Sequence, residues 1–188
     1  MTREELLRIL DRYSACGVYR ELYRKKPEAF GEPIRNWKEF CARFSEGGGK
    51  EEIRLPAEPP TLIADFLTEA EYFTGQEQGE VSVVVNSRYC PAFLHRLEFI
   101  KVIYVFRGQC GFFFRGKRIE MTEGNVCIVA PGVEQAVFSC HDEDIVLNLL
   151  LRRSTFTETF PELLESGVSG VIADFFWKMI RSRPGGEV

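Results

Sequence analysis

The stretch HRLEFIKVIYVFRG, residues 95–108, decides the fold of this chain. It begins with a histidine and a charged cluster, continues into an apolar run, and closes on Arg107-Gly108. β-Branched and aromatic residues in such a run favour a β-strand, and the closing pair is typical of a turn. Because residues two apart on a strand point to the same face, His95 and Leu97 should face the same way. The stretch therefore indicates either the rim of a metal-dependent active site or the wall of a barrel that only binds a ligand.

Similar short runs, at roughly ten-residue spacing, lie on both sides of this stretch and overlap it. They are VSVVV (81–85), FIKVIYVF (99–106), GFFFR (111–115), RIEM (118–121), NVCIVA (125–130), EQAVF (134–138) and DIVLNLLL (144–151). Turn residues separate the later ones, at Arg115-Gly116, Glu123-Gly124 and Pro131-Gly132. Regularly spaced short strands of this kind predict a sandwich or barrel over residues 80–153.

The N-terminal residues 1–46 have a helical pattern instead. Leu6, Ile9, Leu10 and Tyr13 keep to one helical face, and Thr2 with Glu5 forms a capping-box signature. Two further helices are expected, around residues 18–26 and 37–44. We expect a helical appendage, either a lid packed on the barrel or a subdomain of its own. A glycine run at 47–49 then begins a linker and connecting segment, residues 47–79.

Helical spacing returns in residues 154–183, where we expect C-terminal helices. Their apolar stripe ends in Phe175, Phe176 and Met179, and the two phenylalanines form a wide aromatic band with Trp177. Such a stripe must pack against another surface. That surface is either the barrel itself or the same stripe of a second copy, so Phe175, Phe176 and Met179 are the candidates for dimerisation.

Composition excludes several classes of function. The 188 residues carry 24 basic and 28 acidic side chains, a formal charge of -4, which disfavours direct binding to the phosphates of nucleic acids. The six cysteines are scattered without a CxxC pair, so we expect free thiols and neither a disulfide nor a zinc cluster. The charged N-terminus lacks the apolar core of a signal peptide, and we expect a soluble, cytoplasmic protein with no membrane contact.

The turn positions of residues 95–108 match part of a known motif. They resemble the first motif of the cupins, G-x5-H-x-H-x3-4-E-x6-G, at His95 and at Gly108. Leu97 stands where that motif has its second histidine, and Lys101 stands where it has its glutamate. The spacing is kept, whereas two of the side chains that bind metal in the family are replaced.

The second cupin motif, G-x5-P-x-G-x2-H-x3-N, resembles residues 124–139. Gly124 and Gly132 match, and the proline arrives one residue late at Pro131. Gln135 replaces the histidine of the motif and Ser139 replaces its asparagine. Only one of the four metal ligands of a cupin therefore remains in this chain.

A longer stretch is similar to one particular group of cupins. HRLEFIKVIYVFRGQCGFFFRGKRIEMTEGNVCIVAPGVEQAV, followed by IVLNLLLRRSTFTETFPELL, resembles the effector-binding half of AraC-type bacterial transcription regulators, over about residues 80–180. The resemblance implies a mainly β fold with flanking helices, a cupin-like double-stranded β-helix (jelly-roll barrel). It also implies a small-molecule effector, a homodimer, and a DNA-binding helix-turn-helix region, which we expect to lie outside this chain.

The resemblance places a candidate pocket inside the barrel. The family's motif implies that Lys101 faces inward, and with it Ile103, while the second motif implies the same for Gln135 and Val137. Together with His95 and Leu97 they form the predicted ligand-binding set, a largely apolar lumen with a few polar groups, as is common in small-molecule sites.

This set predicts no metal and no other cofactor. A leucine offers no lone pair, a lysine brings a positive charge to the place of the cation, and a glutamine is a weak neutral donor. The lysine instead points to a small anionic or hydroxyl-rich ligand, because a buried ammonium needs a partner. The opposing interpretation is that Lys101 pairs with Glu98 or another acid, or reaches the barrel mouth, and that the lumen is filled by Phe112, Phe113 or Phe114.

The sequence as a whole indicates a sensing domain and not an enzyme. We expect the effector-sensing and dimerisation half of an AraC-type regulator, binding a small polar or anionic metabolite without metal. Two alternatives remain open: a cupin enzyme, isomerase-like or oxygenase-like, with an unconventional site, and a purely structural dimerisation module with a filled barrel.

Overall fold

A computed structural model describes residues 2–14, 17–45, 55, 65–73 and 81–154 of this chain. Antiparallel strands dominate these residues and helices flank them, so the predicted mainly β class is confirmed. The strands are β1 (Phe66–Leu67), β2 (Val81–Val85), β3 (Arg96–Leu97), β4 (Ile100–Arg107), β5 (Gln109–Phe114), β6 (Lys117–Thr122), β7 (Val126–Val129), β8 (Gln135–Phe138) and β9 (Ile145–Leu151). Each of the predicted strands is found, with bounds that differ by two residues or less.

Three helices precede the strands, and a fourth lies between β1 and β2. They are α1 (Arg3–Ser14), α2 (Gly17–Lys25), α3 (Trp37–Ser45) and α4 (Glu69–Phe73), with a single 3-10 turn at Pro27–Phe30. The capping box at the start of α1 is confirmed, since Glu5 N donates to Thr2 Oγ1 over 3.2 Å and Thr2 N donates to the Glu5 carboxylate over 2.8 Å. Helix α2 ends before Pro27, which cannot donate the next helical hydrogen bond.

Two antiparallel sheets form the barrel. The larger has the strand order β2-β9-β4-β7 and the smaller has the order β6-β5-β8. Apolar side chains of both sheets meet in one buried cluster, the lumen cluster, which consists of Ile103, Val105, Cys110, Phe112, Met121, Val129, Val137 and Val146. The two sheets therefore pack face to face and enclose the inward-facing residues.

The turn between β4 and β5 depends on a close contact. Gly108 has a φ of +75°, and a Cβ at this position would lie 3.0 Å from Asp144 Cα and still closer to the Asp144 carboxylate. That carboxylate is buried and accepts hydrogen bonds from the backbone N–H groups of Gln109, Cys140 and His141. Glycine is required here both by the left-handed backbone and by the missing space.

The N-terminal helices pack on the outer face of the smaller sheet. An aromatic cluster joins Phe30, Phe40 and Phe44 of the helical region to Phe113 of β5 and Phe138 of β8. Phe30 lies 5.7 Å from Phe138 between ring centroids. Both faces of β8 are thus covered, by the lumen on one side and the helices on the other, and every β8 residue is buried. The helices therefore form part of the core.

The expected connecting segment, residues 47–79, contains more structure than a linker. Strand β1 pairs in parallel with β3, and α4 follows it directly. Leu67 and Phe73 are buried together with Leu97, Phe99 and Leu150. The sequence pattern missed these elements because they are too short to show a period, although Thr68 and Glu71 form a second capping box.

The predicted C-terminal helices lie outside the described residues, and so do Phe175, Phe176 and Met179. Among the described residues, no helix is long and apolar enough to cross a membrane.

Candidate functional site

The register of the larger sheet places Lys101 inside the barrel. Lys101 on β4 lies between Leu150 of β9 and Val129 of β7, and both of these neighbours are buried. The next inward row along the sheet contains Val84, Asn148 and Ile103. Residues of the alternate rows, such as Val83 and Ile128, are exposed on the outer face. Lys101 is therefore a wall residue of the lumen, as the motif implied.

Three of the predicted residues form a chain of hydrogen bonds across the lumen. Lys101 Nζ donates to Gln135 Oε1 over 3.2 Å. Gln135 Nε2 donates to His95 Nε2 over 2.6 Å, and His95 Nδ1 donates to the backbone oxygen of Phe93 over 2.8 Å. The backbones of His95 and Gln135 also pair through two hydrogen bonds of 3.1 Å. The chain links the larger sheet to the end of β8.

This arrangement requires a neutral imidazole. Burial, together with the positive charge of Lys101, lowers the pKa of His95 from 6.5 to about 3. With the Nδ1 proton donated to Phe93, the lone pair of Nε2 is the acceptor for the Gln135 amide, which fixes the tautomer. Both ring nitrogens of His95 are thus engaged. The role of this histidine is to orient Gln135, so that the amide presents its oxygen to Lys101.

Lys101 is buried without a counter-ion among the described residues. Only 4% of it is exposed, and its hydrogen-bond partner is the neutral Gln135. Burial lowers its pKa from 10.5 to about 8, while the nearby thiols of Cys110 and Cys127 oppose this shift. Glu98, the predicted alternative partner, instead accepts a hydrogen bond of 2.8 Å from Glu69 N at the start of α4. The interpretation in which Lys101 pairs with Glu98 is therefore wrong.

A small cavity lies beside the lysine. It is lined by Val84, His95, Leu97, Lys101, Asn148 and Leu150. Its volume of about 10 Å³ is close to the least that holds one water molecule. Elsewhere in the lumen the described residues include the apolar lumen cluster, to which Phe112 belongs. The cavity thus marks where the barrel interior is incompletely packed.

Asn148 is the member of this cavity that sequence reasoning missed. It is 4% exposed, and its Oδ1 has no hydrogen-bond donor among the described residues. A buried amide oxygen without a donor is costly, since it has lost its water. The signal was present in the sequence: Asn148 is the one polar residue in the β9 run IVLNLLL.

The other predicted ligand-binding residues are divided between two places. Leu97 lines the cavity beside His95 and Lys101. Ile103 and Val137 face the lumen but belong to the lumen cluster, away from the cavity lining. Gln135 is fully buried and reaches the site through its two hydrogen bonds.

These residues do not fit the divalent metal ion of a cupin site. His95 has no free lone pair, Leu97 has no donor atom, and Lys101 places an ammonium where the cation would lie. Among the residues that the structure describes, no group of three or more His, Cys, Asp or Glu side chains is arranged to hold a metal ion. The second histidine of the chain, His141, is exposed in a turn and contacts Asp144.

One family model matches the part of the chain that contains this site. The sequence model described as "AraC-like ligand binding domain" matches residues 86–158, which include β3 to β9 and every polar residue of the site. This match confirms the predicted cupin-like double-stranded β-helix. Among curated proteins, no sequence matches this chain significantly.

Solved structures that resemble this chain include several cupins. A cupin from Bacteroides fragilis aligns with a TM-score of 0.35 at 16% identity, over 40% of this chain and 68% of that protein. An RmlC-like cupin from Shewanella frigidimarina aligns with a TM-score of 0.33 at 21% identity, over 39% and 67%. An ethanolamine utilization protein from Salmonella typhimurium gives 0.33 at 10% identity. That alignment covers 39% of this chain and spans 58% of the Salmonella protein.

Proposed function

We propose that this chain, whose residues 86–158 form an AraC-like ligand-binding domain, is the effector-sensing part of an AraC-type transcription regulator. In this proposal a small polar or anionic metabolite binds in the lumen beside Lys101, without a metal. The observation that carries the proposal is the buried lysine, which has no carboxylate partner in the described part of the chain and lines a cavity. A buried ammonium is stabilised when a ligand supplies the acceptor.

The small cavity sets a condition on binding. A ligand larger than one water molecule fits only if the apolar wall of the cavity moves outward. That wall includes Leu97 and Leu150, which pack with α4 in one cluster. Helix α4 is in turn held to the end of β9, since Arg153 N donates to Glu69 Oε1 over 2.6 Å. We propose that an effector displaces this wall, and that the displacement reaches the residues that follow β9.

The proposal also includes partners outside the described residues. By its resemblance to AraC-type regulators, we propose that the protein forms a homodimer through Phe175, Phe176 and Met179, and contacts DNA through a helix-turn-helix region beyond Val188. Sedimentation of the chain with all three residues replaced by alanine tests the first part, because the variant should be monomeric. Extension of the reading frame past Val188 tests the second.

One alternative function has an observation in its favour. Because the cavity is so small, a barrel that serves only as a structural module would look similar. For an enzyme, the site offers Lys101 but no free base, since both nitrogens of His95 are engaged. We therefore propose a binding function ahead of either a structural or a catalytic one.

Thermal unfolding of the full chain with a panel of short-chain carboxylates, hydroxy acids and sugars tests the proposed function. A ligand at a hundred times its dissociation constant stabilises the folded state by about 2.7 kcal/mol, which raises the melting temperature by several degrees. At least one compound should do so in the wild type and in Lys117→Met, an exposed control, but not in Lys101→Met. A flat response across the panel, or an equal response in Lys101→Met, would overturn the proposal.

A further inference from the structure

From the cavity beside Lys101 we infer that the effector is a hydroxy acid, whose carboxylate binds Lys101 and whose hydroxyl group donates to Asn148. This inference rests on the proposed sensing function and narrows it to a chemical class. It also assigns a binding role to Asn148, which lies inside the matched family region but was not a predicted site residue.

The anionic group of the ligand is inferred from Lys101. Of the three N–H donors on a lysine ammonium, Lys101 uses one on Gln135 Oε1. Lys101 also lines a cavity whose lining contains no carboxylate. A carboxylate on the ligand would supply both the missing charge and the missing acceptors, and charge-assisted hydrogen bonds of this kind are the stronger ones.

The donor group of the ligand is inferred from Asn148. Asn148 Oδ1 is buried and needs a hydrogen-bond donor that no described residue supplies. Among the polar groups that small carboxylic acids commonly carry, a neutral hydroxyl or an ammonium could provide one. An ammonium is disfavoured, because the one carboxylate of an amino acid balances only one positive charge, and the ammonium would be a second one beside Lys101. The neutral hydroxyl remains, so the site should select a hydroxy acid over the amino acid of the same shape.

The other polar side chains beside Lys101, those of His95 and Gln135, are already engaged in hydrogen bonds with protein groups. Both nitrogens of His95 are engaged, and Gln135 uses its oxygen on Lys101 and its nitrogen on His95. The remaining lining residues, Val84, Leu97 and Leu150, are apolar. Lys101 and Asn148 are therefore the two groups with hydrogen-bonding capacity left for a ligand.

Four small probes of nearly equal size separate these contributions. Glycolate carries both groups, acetate lacks the hydroxyl, glycine replaces the hydroxyl with an ammonium, and ethylene glycol lacks the charge. Titration calorimetry on the full chain should show that glycolate binds about tenfold more tightly than acetate, and that glycine and ethylene glycol bind more weakly still. Small size keeps all four affinities low, so the titrations use millimolar concentrations.

Variants test which residue makes each contact. Asn148→Leu should reduce the preference of glycolate over acetate to about onefold. Lys101→Met should abolish binding of both acids. Melting of each variant without ligand checks its folding, and Asn148→Leu should be at least as stable as the wild type, because it removes an unpaired buried oxygen.

The outcomes separate this inference from the proposed function. If glycolate binds no better than acetate in the wild type, or if Asn148→Leu keeps the preference, the hydroxy-acid assignment is wrong. If ethylene glycol or a sugar of the panel binds and both acids do not, the assignment fails while the sensing function stands. If no compound of either set binds, both fail.

Discussion

At the scale of single residues, the function depends on the Lys101 side chain and the groups that hold it. The amide of Gln135 is fixed by a neutral His95, and it offers the lysine one oxygen but no charge. Such a lysine is a destabilising feature of the folded protein, because an ammonium loses hydration on burial. Groups that destabilise the fold and contact a cavity are frequent at binding sites.

Because of Lys101, the free energy of unfolding of this protein should change with pH in the alkaline range. Its pKa is lowered from 10.5 to about 8 on folding, so the unfolded chain binds more protons between these two pH values. The contribution of Lys101 to the free energy of unfolding should therefore rise by up to about 3 kcal/mol as the pH increases from about 8 to about 10.5. Burial raises the pKa of Cys110 to about 12, so this thiol lowers the free energy of unfolding above about pH 9, and the difference between the wild type and Lys101→Met isolates the lysine. Urea unfolding over this range, with Lys101→Met compared with the wild type, measures the effect.

In Lys101→Met this rise should be absent, and at pH 7 the variant should be more stable than the wild type by about 2 kcal/mol, because the lost hydrogen bond to Gln135 offsets part of the gain. The exposed control Lys117→Met should keep the rise. A destabilised Lys101→Met, or a rise that persists in it, would show that the lysine is paired in the folded state.

The sequence could predict the inward direction of Lys101 but not the environment that it meets. Strand alternation and the cupin spacing placed His95, Leu97 and Lys101 on the same wall, and all three line the cavity. The engagement of His95 by Gln135 is a contact between distant strands, and no local pattern encodes it. Asn148 was predictable in principle, as a lone polar residue at an inward position of an apolar strand.

At the scale of elements, the turn between β4 and β5 packs the motif glycine, Gly108, against the core. Gly108 lies against the buried Asp144, whose carboxylate accepts hydrogen bonds from Cys140 N and His141 N in the loop before β9 and from Gln109 N at the start of β5. The turn therefore joins the strand that carries Lys101 to the loop that leads into the strand that carries Asn148. An error at this turn should disturb both sides of the site.

Two alanine substitutions separate the conformational cost from the packing cost. Gly116 also has a positive φ, of +70°, but no atom lies within 4 Å of a Cβ placed there. Gly116→Ala should cost about 1 kcal/mol, the cost of the left-handed backbone alone. Gly108→Ala should cost about 3 kcal/mol, because overpacking against Asp144 is added. Equal losses in urea unfolding would contradict the contact.

The elements that were not predicted are those stabilised by contacts with residues distant in the sequence. Strand β1 has two residues and exists through its pairing with β3, and α4 has five residues packed on Phe99 and Leu97. Such short elements have little stability of their own, so hydrophobic periodicity does not reveal them. The long strands β4 and β9 were predicted well, because their alternating inward positions are buried.

At the scale of the whole molecule, the helical region and the barrel share one core. The aromatic cluster that covers the smaller sheet draws on the 3-10 turn, α3, β5 and β8. One face of the smaller sheet packs against the helices, and its other face lines the lumen. The helices therefore support the wall of the lumen that lies opposite Lys101. We expect the helices and the barrel to unfold together.

Phe30→Ala tests this shared core. Phe30 is 2% exposed, and the substitution should cost about 3 to 5 kcal/mol. Urea unfolding followed by far-UV circular dichroism and by the NMR signals of barrel methyl groups should shift to the same lower midpoint. Phe66→Ala is the control, since Phe66 is 44% exposed and should cost under about 1 kcal/mol. Separate midpoints, with the barrel unaffected, would show that the helical region is an independent subdomain.

The central claim is that the lumen beside Lys101 binds a small polar or anionic molecule. Its most direct test is a high-resolution crystal structure of the full chain grown with the panel compound that raises the melting temperature most. We expect electron density for that compound inside the barrel, with an acceptor atom within hydrogen-bond distance of Lys101 Nζ and with Leu97 or Leu150 displaced. A compound bound elsewhere over a closed lumen, or a metal ion coordinated by His95, would contradict it.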